Sequence, residues 1–282
     1  MTTPADVAAA GQLACLLEVS APKPGNVSPE RHFHDTRYED FLASAVAIGP
    51  ALAAAGIEPL GTTVRHAVEA TLRWTRSNTN LGIVLLLAPL AKAALAQDGG
   101  LRDRLARVLA STTVTDAREV YSAIRSARPG GLGEAEIEDV AGPPSVSLRD
   151  AMALAADRDA IAREYVTDFA LTFGIGVPAL QQARREGLSW SDAVVETSLA
   201  LLDTSADTHI ARKLGGDEAA AVSRRVRQVR AAGGTRTEQG RTALATLDQE
   251  LRDPRNRRNP GATADLTCAA LFVVIIEAGW DQ

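Results

Sequence analysis

Cysteine is almost missing from this sequence: among 282 residues only Cys15 and Cys268 occur, with no CxxC and no Cys/His ligand spacing. That pattern excludes a disulfide scaffold and a zinc ribbon. Each thiol sits in an apolar helical stretch and reads as a small core residue, so a reducing cytoplasm is the expected location. His32 and His34 have no third ligand at zinc spacing. Lysine is scarce as well, at positions 23, 92 and 213 alone, and aromatics make up 4%. A formal charge of −5 argues against a broad nucleic-acid surface while leaving room for a local basic pocket. The first twenty residues carry Asp6 and Glu18 and no basic leader, which makes a poor signal peptide. The run Leu81–Leu90 is too short for a membrane span and contains Pro89. A soluble protein with no nucleic-acid or membrane partner is expected.

Alternating apolar and polar residues, the mark of a half-buried strand, are also lacking. Hydrophobic residues are 46% of the chain and alanine is abundant, which favours helices packed closely on helices. Periodicity predicts helices over 5–20, from an Asp35-Thr36 cap to about Ala55, and over Thr62–Thr75, Ile83–Ala96, Leu101–Leu109 and Ala117–Arg128. Further helices are predicted over Ser147–Asp157, Ala160–Thr172, from a Ser189 cap into the Leu201–Gly216 stretch, and over Glu218–Ala232, Thr237–Asp253 and Leu266–Ala278. No repeat or low-complexity linker divides them. The reading is all-α, one compact multi-helix domain over 1–282.

Polar chemistry collects at the breaks between helices. In Leu201–Gly216, Asp203 and Asp207 are four apart, which on one continuous helix puts both carboxylates on one face. A divalent cation would turn their repulsion into binding, since Mg²⁺ takes one or two carboxylates plus substrate phosphates. His209, Arg212 and Lys213 follow, and Gly215-Gly216 stops the helix. The alternative is a solvated face of mutually paired charges. Pro22-Lys23-Pro24-Gly25-Asn26 is a stiff loop whose lysine is pre-oriented and whose Gly25-Asn26 amides suit an anion. Ser77-Asn78-Thr79-Asn80 places four small polar residues before an apolar helix. They serve either as partners for neighbouring loops or as a pocket lining. Asp265 opens another apolar helix, an expensive place for a carboxylate unless it is paired or bound to metal.

Taken together, PKPGN (Pro22–Asn26), SNTNLG (Ser77–Gly82), GGLGEA (Gly130–Ala135), the Asp203–Lys213 stretch and NPGATADL (Asn259–Leu266) resemble the triphosphoribosyl-dephospho-CoA synthase family, in that family's order and over nearly the whole chain. The resemblance implies an all-helical transferase that moves the triphosphoribosyl group of ATP to 3′-dephospho-CoA and releases adenine. It implies Mg²⁺ with ATP, and metal ligands Asp203, Asp207 and Asp265. Substrate would be held by Lys23, Gly25, Asn26, Asp35, Asn78, Thr79, Asn80, Arg212, Lys213 and Gly261. Asp207, Glu134 and His209 would be catalytic, with Glu134 or His209 moving the proton. The chain departs from the family in having Asn80-Leu81 where a His-Lys pair is usual and Leu132 where an arginine is usual. Alternatives are a related transfer to another cofactor precursor, such as a one-carbon pterin or furan cofactor, or a non-catalytic nucleotide-binding relative. A homo-oligomer is allowed by the reading.

Overall fold

A computed structural model describes residues 2–130, 135 and 137–280. Among these residues there are helices and no strand, only an isolated bridge between Ser28 and Arg31. The helices are α1 Pro4–Ser20, α2 Tyr38–Ala47, α3 Gly49–Ala54, α4 Leu60–Leu72, α5 Leu81–Leu95, α6 Leu101–Ala110, α7 Val114–Ala127 and α8 Leu148–Ala153. They continue with α9 Ala160–Val166, α10 Val177–Arg185, α11 Trp190–Thr204, α12 Thr208–Leu214, α13 Gly216–Ala231, α14 Glu238–Leu251 and α15 Gly261–Ala278. A π-helical turn, Thr172–Gly176, leads into α10, and a 3₁₀ turn, Gly234–Arg236, precedes α14.

Two apolar helices form the axis of the core. α5 and α15 pack on each other, and α15 also meets α1, α10 and α11. From Leu266 to Val274 every residue of α15 is buried, as are Ile83–Leu87 and Leu90 of α5. By length and composition α15 is apolar enough to cross a membrane, with a mean hydropathy of 1.7, but here 61% of it lies buried among other helices. A helix buried on all sides needs apolar residues all round, which is why neither shows a polar stripe.

Two prolines show how the core satisfies its backbone. Pro89 lies inside α5, so the Leu85 carbonyl has no i+4 N–H to accept. The buried Tyr165 hydroxyl donates to it instead, at 2.7 Å. Pro50 does the same to Val46, whose carbonyl accepts from the Gln12 side chain at 2.9 Å. This second proline splits the helix expected to run from Asp35 to Ala55 into α2 and α3. The start of α2 differs too. Asp35-Thr36 stays in the loop, and the capping carboxylate is Asp40, which accepts the Arg37 N–H at 2.8 Å.

The expected Ala160–Thr172 helix ends early, at Val166. Asp168 and Phe169 take left-handed φ values of 49° and 59°, and the chain re-enters helix through the π turn. Buried Glu164 bridges this break by accepting from the N–H groups of Leu171 and Thr172 and from the Thr172 hydroxyl, at 2.9, 2.9 and 2.6 Å. The expected break at Gly215 is present: it caps α12 with φ 93°.

Candidate active site

The loops between these helices converge on one large cleft of about 1340 Å³. Its wall takes in the end of α1, the 26–36 loop, the α4–α5 loop, the end of α7, the start of α9, α12, and the α14–α15 loop with the first turn of α15. Of the residues expected from sequence, Asn26, Asp35, Asn78, Thr79, Asn80, His209, Arg212, Lys213, Gly261 and Asp265 line it. Glu134 lies outside the described residues.

The opening expectation about Asp203 and Asp207 is overturned in its geometry. α11 stops at Thr204, and Asp207 is the N-cap of a new helix, so the two carboxylates share no helix face. Asp203 is held by Arg227 and Arg230 of α13, with Nε of Arg227 at 2.9 Å from Oδ1. The Asp207 carboxylate is fully committed. Oδ1 accepts from the N–H groups of His209 and Ile210 at 2.9 and 3.0 Å, and Oδ2 from the N–H and hydroxyl of Thr263, both at 2.8 Å. Burial pushes its pKa up while these four donors pull it down. It fastens the start of α12 to the first turn of α15, and neither it nor Asp203 lines the cleft.

The PKPGN loop is likewise structural in its cationic part. Lys23 is 1% exposed and its ammonium lies 2.8 Å from the Glu18 carboxylate, with the Glu18 and Ala21 carbonyls as further acceptors. The Gly25 N–H donates to Asp248 at 2.8 Å and is therefore not offered to a ligand. Both were expected to meet substrate; they fasten α1 and α14 instead. Asn26 does reach the cleft, with its Nδ2 donating to Asn259 Oδ1 at 2.6 Å.

The Ser77–Asn80 string does both things open to it: it lines the cleft and it holds neighbouring loops. Asn78 Oδ1 accepts the Leu81 N–H at 3.1 Å and so caps α5. The Thr79 hydroxyl bonds Ser44, Asn80 donates to the Thr71 hydroxyl at 3.0 Å, and Ser77 donates to the Asp35 carbonyl at 3.0 Å.

Two glycines of the motifs make room for two cleft side chains. A Cβ on Gly82 would lie 2.0 Å from Asp265 Oδ2, and one on Gly261 would lie 2.1 Å from His209 Nδ1. Gly261 therefore serves the cleft by letting the imidazole pack against its backbone. No donor among the described residues bonds the Asp265 carboxylate. Desolvation pushes its pKa well above the usual carboxylate range, helped by the charges of Glu18, Asp207 and Asp159 and opposed by Arg212. His209 is held neutral, its pKa lowered to about 3 by burial and then by Lys213 and Arg212. Lys213 is half-buried with a lowered pKa, from burial first and Arg212 second.

Sequence reading missed several cleft groups. Arg76, Arg128 and Arg255 line it, and among the described residues neither they nor Lys213 form an ion pair. Arg212 is 3.5 Å from Asp159, itself the N-cap of α9. The cleft is thus lined by basic and acidic side chains together, with Glu18, Asp35, Asp159 and Asp265 among the acids. Glu18 was also missed, being a single acid in an apolar helical pattern.

The profile of the CitG family, ATP:dephospho-CoA triphosphoribosyl transferase, matches residues 4–282. The chain belongs to that family, and it is a transferase. A Pseudomonas fluorescens protein that carries the name 2-(5''-triphosphoribosyl)-3'-dephosphocoenzyme-A synthase is 29% identical over 223 residues, 79% of this chain and 69% of that one. A Pseudomonas putida protein of the same name is 35% identical over 105 residues, 37% of each chain. A crystal structure from Archaeoglobus fulgidus that carries the name triphosphoribosyl-dephospho-CoA synthase superposes with a TM-score of 0.66 at 27% identity, covering 85% of this chain and all of that one.

Proposed function

We propose that this cleft transfers the triphosphoribosyl group of ATP to the hydroxyl of 3′-dephospho-CoA and releases adenine. The observation that carries the residue-level reading is a single cleft, lined by residues of all five motif stretches, that combines cations without an ion pair among the described residues with a buried carboxylate. At about 1340 Å³ it exceeds the roughly 300–1,000 Å³ of a site for one drug-sized ligand, as two substrates bound together require.

Lys213 and Arg212 hold the triphosphate on this reading. Arg76, Arg128 and Arg255 supply charge that the family's usual His-Lys pair and arginine would otherwise bring. Asn78, Thr79 and Asn80 form the wall against which the nucleotide lies. Displacing adenine at ribose C1′ builds positive charge on the sugar and needs a proton moved from acceptor to base. His209 is neutral and positioned to take the acceptor proton. Its weak basicity in the free protein comes partly from Lys213 and Arg212, so a triphosphate that neutralises those cations raises its pKa.

The three expected Mg²⁺ ligands do not fit a shared ion. Asp203 is paired with arginines, the four acceptor positions of Asp207 are filled, and Asp265 alone faces the cleft. Mg²⁺ enters this proposal as the counter-ion that ATP carries. The test is incubation with Mg·ATP and dephospho-CoA followed by mass spectrometry of the acceptor. The expected product is dephospho-CoA heavier by one triphosphoribosyl group. ATP binding with an unchanged acceptor would refute the reading.

A further inference from the structure

α1 runs antiparallel to α15, and its last turn comes level with the first turns of α15. The register is fixed at two points: Cys268 Sγ lies 3.7 Å from Cys15 Sγ, and Asn26 donates to Asn259 at 2.6 Å. Glu18, one turn beyond Cys15, therefore comes opposite Asp265, one turn before Cys268. Glu18 is only 4% exposed, and what it exposes faces the cleft. Behind it Lys23, still more buried, spends its ammonium on the Glu18 carboxylate and on two carbonyls. A buried ion pair contributes little net stability against a well-packed apolar pair. The pair does fix the Glu18 carboxylate in the lining of the cleft.

A second, independent observation points the same way. Asn26 is 6% exposed and lines the cleft, its Nδ2 is used on Asn259, and its Oδ1 has no donor among the described residues. The cleft lining here therefore includes two acceptors, the Glu18 carboxylate and the Asn26 carbonyl. Arg76, Arg128, Arg255 and Lys213 also line the cleft, with no ion pair among the described residues. ATP has groups for both, with acceptor phosphates at one end and a ribose that offers hydroxyl donors at the other.

We propose that Glu18 is a catalytic residue whose carboxylate, fixed by Lys23 as a positioning residue, faces the ribose and stabilises the positive charge that develops at C1′. This rests on the transfer reaction proposed above. In that step the C1′–N9 bond breaks with its electron pair leaving on adenine, and an electron pair of the acceptor hydroxyl forms the new C1′–O bond. The hydroxyl loses one proton and adenine gains one, so no further reactant is needed. Glu18 exchanges no proton; it contributes charge. The Asn26 carbonyl accepts from a ribose hydroxyl.

The test compares wild type with Glu18→Gln, which keeps the shape and can still accept from Lys23. The expected result is a kcat lower by about 100-fold or more, with ATP affinity unchanged within about threefold, and partial recovery in Glu18→Asp. A binding measurement reads the charge directly. With tripolyphosphate present, calorimetry compares a protonated 1,4-imino-ribitol with the neutral 1,4-anhydro-ribitol of the same shape. Wild type should prefer the cation by about tenfold or more, and Glu18→Gln should lose that preference. Failure of wild type to prefer the cation overturns the proposal, as does a Glu18→Gln protein that keeps the preference or the wild-type kcat. If dephospho-CoA is not consumed while the preference is present and depends on Glu18, the acceptor assignment fails and the role of Glu18 stands.

Discussion

At the scale of single residues, the cleft depends on side chains that are left without partners among the described residues and on glycines that leave room for them. Gly82 is the sharpest case. Alanine there should gain up to about 1 kcal/mol of helix propensity, yet its Cβ would meet the Asp265 carboxylate. Gly82→Ala is therefore expected to keep or raise the melting temperature while lowering kcat by about tenfold or more, since a displacement of about 1 Å can cost that much. Thermal unfolding and steady-state kinetics on one preparation check both halves. His209 gives a pH prediction. Its folded pKa of about 3 lies below the ordinary 6.5, so between these values the unfolded chain binds the extra proton. Stability then falls as pH drops through about 6.5 toward 3. His209→Gln should flatten that part of the curve, as read from urea midpoints across the range. ATP should raise the imidazole pKa in an NMR titration by neutralising Lys213 and Arg212.

The misread residues fail for one common reason: spacing is informative only when the element is known. Asp203 and Asp207 are four apart, but the second begins a helix. The signal was present in Asp207-Thr208, because aspartate is among the preferred N-caps. Lys23 looked pre-oriented for a phosphate, and its actual partner, Glu18, was hidden as a lone acid in an apolar stretch.

At the scale of elements, most helices were legible because their burial follows the 3.6-residue period. α5 and α15 were legible as apolar runs, although α15 starts five residues before the expected Leu266. What periodicity could not show were the breaks. Pro50 lies at the break between α2 and α3 with the Val46 carbonyl taken by Gln12 of α1, and Pro89 is carried inside α5 with the Leu85 carbonyl taken by Tyr165. Both outcomes depend on a distant side chain that local sequence does not contain. The polar strings, in contrast, were legible as a site because buried loops must satisfy their polar groups. Tyr165→Phe should leave the Leu85 carbonyl unpaired in the core and destabilise the fold by about 1–3 kcal/mol. Chemical denaturation measures this, and a loss below about 0.5 kcal/mol would mean that the carbonyl finds another donor.

At the scale of the whole molecule, helices from both ends and the middle of the sequence bring five separated motifs to one cleft, which arginines and Lys213 line together with the Glu18 and Asp265 carboxylates. The central claim is that this set of charged groups performs an adenine-displacing transfer. The direct test is adenine release followed by chromatography, with Mg·ATP in excess and dephospho-CoA limiting, for wild type and Lys213→Met side by side. The account predicts one adenine per dephospho-CoA consumed by wild type, none without the acceptor, and a KM for ATP raised about tenfold or more in the variant, the equivalent of about 1.4 kcal/mol. Adenine release that ignores the acceptor, or a Lys213→Met enzyme with wild-type KM, would contradict it.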